Sequence, residues 1–92
     1  MTIYFSRHAL EKARRRGVKR SHIDQTLKVP DELYEDVEHG TMIAVKRTND
    51  RSIILAYREE DGVVKVITLY YTTKLGRLIQ SKRVRGAWRR VR

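Results

Sequence analysis

The stretch Val63-Val64-Lys65-Val66-Ile67-Thr68-Leu69-Tyr70-Tyr71-Thr72 decides the fold. β-Branched and aromatic residues fill it, and such side chains suit a pleated, half-buried surface. Apolar residues stand at both parities, which predicts a strand buried on both faces and central in its sheet. Strict alternation puts Thr68 on one face with Val64, Val66 and Tyr70, and Lys65, Ile67, Leu69 and Tyr71 on the other. Asp61-Gly62 reads as a hairpin turn and makes residues 52–58, with Ile53, Ile54, Leu55 and Tyr57, the partner strand. Asn49-Asp50 is a second turn, preceded by a β-rich run over residues 41–48. Gly40 separates that run from residues 33–38, an acidic strand or irregular segment. Downstream, residues 73–83 read as a short basic helix with Leu75, Leu78 and Ile79 on one face. After Gly86, residues 87–91 read as a final strand.

The first 30 residues carry a different signal. Residues 2–5 are a short apolar lead-in. Ser6 is placed to cap a helix running to Arg16, its hydroxyl accepting an otherwise unpaired N–H of the first turn. Phe5 and Leu10 have the spacing of a hydrophobic staple. Gly17 ends the helix, because glycine accepts the left-handed conformation there without strain. Ser21 with Asp24 has the capping-box pattern for a second helix, which Val29-Pro30 terminates. Two helices packed on one face of an antiparallel meander of three to five strands make an α+β domain, a single one over residues 1–92. The opposite sheet face is expected to be open, concave and edged by Arg and Lys.

Composition bounds the function. The chain has 92 residues, 21 Lys+Arg, 11 Asp+Glu and no Cys, for a net charge of +10. Without Cys there is no disulfide scaffold, thiolate metal site or cysteine nucleophile. No run approaches the roughly 18 apolar residues of a membrane span, and no signal-peptide core is visible, so a cytoplasmic protein is expected. The charge is clustered: +6 over residues 7–20, +8 over residues 74–92 and −5 over residues 31–38. Arg outnumbers Lys fourteen to seven, and Arg pairs with phosphate in a bidentate fork. The expected partner is RNA or DNA. The acidic run Asp31, Glu32, Glu35, Asp36, Glu38 matches no metal-ligand spacing and reads as solvated or self-neutralising, so neither a metal nor another cofactor is predicted.

His8-Ala9, then Arg16-Gly17-Val18, a helix ending near Pro30 and much later Val66-Ile67-Thr68-Leu69-Tyr70 occur here in that order. This combination resembles a bacterial and archaeal family known as domain of unknown function 4258. That family is similar in outline to RelE-type toxins of the barnase–EndoU–colicin–RelE class of metal-independent ribonucleases. The resemblance covers residues 6–72, with His8, Arg16, Gly17 and Thr68 at matching positions. It implies a RelE-like fold and a hydrolase acting on RNA as part of a toxin–antitoxin system, masked by an acidic antitoxin or inhibitor protein.

Metal-free RNA cleavage needs a base for the 2′-hydroxyl, an acid for the leaving 5′-oxygen and cations for the phosphorane. Histidine is the side chain whose ordinary pKa lies nearest neutrality, which makes His8 the acid/base candidate. On a helix His8, Lys12 and Arg16 form one stripe, so Arg16 with Lys12 would neutralise charge and Thr68 would orient His8 or the phosphate. A structural alternative stands beside each role: His8 padding a helix start, Thr68 there for strand preference. Arg15, Tyr70, Lys82, Arg83, Arg85, Trp88, Arg89 and Arg90 complete the candidate nucleic-acid contacts, since aromatic residues among Arg suit single strands. Tyr70 and Trp88 read more readily as core, and His22 and His39 as ordinary surface residues. The leading expectation is a metal-independent endoribonuclease. A non-catalytic RNA- or DNA-binding module and a toxin that binds a protein target are the alternatives.

Overall fold

The 63–72 strand forms as read, but it is not central. The computed structural model describes residues 2–92 and contains, in chain order, β1 (Thr2–Phe5), α1 (Arg7–Arg15), α2 (Arg20–Lys28), β2 (Glu32–Asp36), β3 (Thr41–Arg47), β4 (Ser52–Glu60), β5 (Val63–Thr72), α3 (Leu75–Val84) and β6 (Trp88–Arg90). One six-stranded sheet has the order β1-β5-β4-β3-β2-β6. Strands β2 to β5 are the expected antiparallel meander. The sheet as a whole is mixed and longer than expected. β1 joins β5 in parallel, and β6 adds to β2 antiparallel. β4 holds the interior position, with every residue from Ser52 to Ala56 buried.

A bulge explains why β5 looks apolar on both faces. Tyr57 pairs with Val66 and Ala56 with Thr68, so Ile67 is one residue too many. An extra residue reverses the side-chain parity of everything beyond it. Val66 therefore shares a face with Leu69 and Tyr71, and Thr68 lines the opposite face with Tyr70. The strict alternation is corrected at this point.

The two faces carry two cores. Ala9 and Ile23 of α1 and α2 pack on Ala44, Ile53, Leu55, Val66 and Leu69. The opposite face is not open. Leu75, Leu78 and Ile79 of α3 cover Tyr34, Ile43, Val45, Ile54 and Trp88 there. An amphipathic helix following β5 buries its apolar stripe on the nearest uncovered sheet face.

Local signals fare unevenly. Ser6 caps α1, its Oγ accepting the Ala9 N–H at 3.1 Å, and Gly17 follows the helix with φ 61°. Leu10 is 43 % exposed and does not join the core with Phe5, so no staple forms. α2 starts one residue earlier than its Ser21, after Lys19, without a side-chain cap. Asp24 is drawn instead to Arg20, whose Nε lies 3.0 Å away.

Candidate functional site

β1 is shorter than β5 and pairs only with Val63 to Val66. Beyond that point the β5 edge meets α1, and side chains take over from strand hydrogen bonds. Ser6 donates its N–H to the Val66 carbonyl at 3.1 Å and its hydroxyl to the Ile67 carbonyl at 3.3 Å. Arg16 donates Nη1–H to the Leu69 carbonyl at 3.0 Å. An unpaired strand edge is thereby satisfied, and Arg16 is fixed beside it.

The result is an open basin of about 740 Å³ lined by Lys12, Arg16, Arg51, Thr68, Tyr70 and Tyr71. The Arg16 guanidinium lies 5.9 Å from the Tyr70 ring centre, and that of Arg51 lies 3.6 Å from the Tyr71 ring centre. Among the described residues neither Lys12 nor Arg16 has an ion-pair partner, and Arg51 meets only the exposed Asp50 at 4.0 Å. Burial pushes the Tyr70 phenol above its ordinary value, partly offset by the Arg16 charge, so it is a neutral hydroxyl at physiological pH. The basin thus offers three cations, the Thr68 and Tyr70 hydroxyls and two aromatic rings, the set that holds a phosphodiester and its base.

His8 stands on the same helical stripe one turn before Lys12, where β-carbons are about 6 Å apart. It is exposed, and among the described residues neither ring nitrogen is hydrogen-bonded. It does not line the basin. His22 is the residue that sequence reasoning passed over. Its Nδ1 lies 2.7 Å from the Tyr71 hydroxyl, which also accepts the Lys19 N–H at 3.3 Å, and the two rings meet edge to face. His22 and Arg51 also line an adjoining hollow of about 520 Å³ with Lys46 and Arg47. The contact joins residues 49 apart in the chain, so no local spacing reveals it.

The C-terminal cations do not converge on this basin. β6 lies beside β2, pairing Arg90 with Tyr34 and Arg89 with Glu35. Arg89 forms an ion pair with Glu35, Arg90 with Glu32 at 3.4 Å and Arg85 with Glu38 at 3.5 Å. Burial would raise the Glu32 carboxyl. Hydrogen bonds from Tyr34 and Arg47, with the charges of Arg47 and Arg90, outweigh it and hold the group below its ordinary range. The acidic run is self-neutralising against the basic tail, and Glu32 and Asp36 are buried rather than solvated. Trp88 is 5 % exposed and packs on Tyr34, so its ring is not offered to solvent for stacking on a base. Lys82 sits 5.7 Å over Trp88. Arg15 and Arg83 are exposed and stand apart from the basin. No three His, Asp or Glu side chains group as metal ligands among the described residues, and no described helix is long and apolar enough to cross a membrane.

Fold and basin together define a small basic α+β domain with a cationic cleft between its first helix and the edge of its sheet. The chain belongs to the family described as domain of unknown function (DUF4258), which it matches over residues 5–80. That span holds the whole basin and ends inside α3, before the Arg-rich β6. No curated protein and no solved structure matches the chain.

Proposed function

We propose that this protein binds single-stranded RNA in the Lys12–Arg16–Arg51 basin and cleaves it without a metal, as a ribonuclease of the RelE-like toxin type. The observation that carries the reading is the convergence of these three cations on Thr68, Tyr70 and Tyr71. Arg16 and Lys12 bind the phosphate and neutralise charge as the phosphorane develops. His8 takes the proton of the 2′-hydroxyl as its oxygen bonds to phosphorus. The P–O5′ bond then breaks, and His8 returns the proton to the departing 5′-oxygen, leaving a 2′,3′-cyclic phosphate. Thr68 orients the phosphate. Because Lys12 and Arg16 have no acidic partner among the described residues and Arg51 meets only the exposed Asp50, an acidic antitoxin would mask the same basin.

His8→Ala is the test. General acid–base catalysis contributes about a hundred- to ten-thousandfold, and cleavage should fall by that factor while RNA affinity and thermal stability hold. One observation favours a second reading, a binding module without catalysis: the His8 ring has no hydrogen bond to orient it among the described residues. RNA binding with no cleavage by the wild type would establish that reading instead.

A further inference from the structure

The α3-covered face of the sheet contains a cavity that the basin leaves unused. Its volume is about 320 Å³, lined in part by Ile43, Ile54, Ala56, Thr68, Tyr70 and Trp88. That is the small end of the roughly 300 to 1,000 Å³ that ligand cavities occupy. Trp88 is buried, and its Nε1–H is the one buried side-chain polar atom among the described residues without a hydrogen-bond partner. Buried donors rarely lack an acceptor, and one beside a cavity is a place for a ligand to supply it. The same walls hold Asp36, hydrogen-bonded to His39 at 2.9 Å, and the cations Arg58 and Lys82. Thr68 and Tyr70 line both this cavity and the basin. A group seated here is therefore separated from a phosphate at Arg16 by two side chains of a single strand.

We infer that this cavity is a nucleobase subsite, taking the base of a nucleotide whose phosphate lies in the basin, with a ring nitrogen or carbonyl oxygen of the base accepting the Trp88 N–H. The inference rests on the RNA-binding reading and adds the residues that would contact the base. Apolar walls suit the ring faces, the indole N–H suits its acceptor edge, and the cations suit its phosphodiester neighbours.

Trp88 is the only tryptophan, so a ¹⁵N-labelled sample gives one indole cross-peak. Uridine, cytidine, adenosine and guanosine, which carry no phosphate, are titrated separately into the full chain. At least one should move that peak downfield and saturably. The shift should persist in Arg16→Ala, which weakens RNA binding, and vanish in Ala56→Leu, which fills the cavity. The wild-type titration decides alone if Ala56→Leu does not fold. RNA that binds while neither it nor any nucleoside moves the indole peak overturns the subsite and leaves the RNA reading standing. Nucleosides that move the peak while RNA fails to bind keep the base site and sink the RNA reading.

Discussion

Glu32 shows how one side chain converts the charge pattern into stability. It is a buried carboxylate that accepts from the Tyr34 hydroxyl at 2.6 Å and from Arg47 at 2.8 Å, with Arg90 at 3.4 Å. Glu32→Ala strands the buried Tyr34 hydroxyl while water takes over at the half-exposed Arg47 and Arg90, so it should cost about 1 to 3 kcal/mol in chemical denaturation. Its acidity is greater in the folded chain than the ordinary 4.5. The stabilisation is therefore complete above that value and is lost as pH falls through the lower folded value, where the unfolded chain takes up the proton first. Glu32→Gln should flatten the acid limb of a stability–pH curve below about pH 4.5. The sequence showed the acids and the Arg-rich tail as separate clusters. Their pairing was hidden because it depends on β6 settling beside β2, more than fifty residues away. His22 read as an ordinary surface residue for the same reason, its partner Tyr71 lying 49 residues further along the chain.

At the scale of elements, the signals that could be read were those completed within a few residues. The Ser6 cap, Gly17 and the Asp61-Gly62 turn each act locally, and all three stand where the residues put them, with Asp61 and Gly62 at φ 51° and 76°. What failed needed a long-range partner. β1 gives no sign in its four residues that it will pair in parallel with β5, and α3 gives none of which face it will cover. The bulge at Ile67 is invisible because Val, Ile and Leu satisfy either parity. Ser6 has two duties, as the cap of α1 and as a donor to the β5 edge. Ser6→Ala should destabilise by about 1 kcal/mol from the lost cap, which lowers the melting temperature of a domain this size by roughly 4 to 8 °C. A melt unchanged by that substitution would show that neither bond of the Ser6 hydroxyl contributes, since its backbone N–H still reaches Val66 in the variant.

For the whole molecule, the net +10 overstates the charge available to a polyanion. The tail arginines Arg85, Arg89 and Arg90 are spent on Glu38, Glu35 and Glu32, whereas Lys12, Arg16 and Arg51 remain for a ligand. Three phosphate contacts on a single strand give a log–log salt slope of about −2, so RNA affinity should fall roughly twentyfold between 50 and 200 mM salt. Arg16→Ala should flatten that slope. Arg89→Ala with Arg90→Ala should leave it unchanged and lower thermal stability instead. The reverse result would move the interface to the tail. The basin as a catalytic surface is tested most directly by incubating the protein with a mixed RNA pool in EDTA, beside the His8→Ala variant. The wild type should cleave to 2′,3′-cyclic phosphate ends, and the variant should lose about a hundred- to ten-thousandfold with RNA affinity unchanged. A wild type that leaves RNA intact in EDTA, or a variant that cleaves as fast as the wild type, would contradict it.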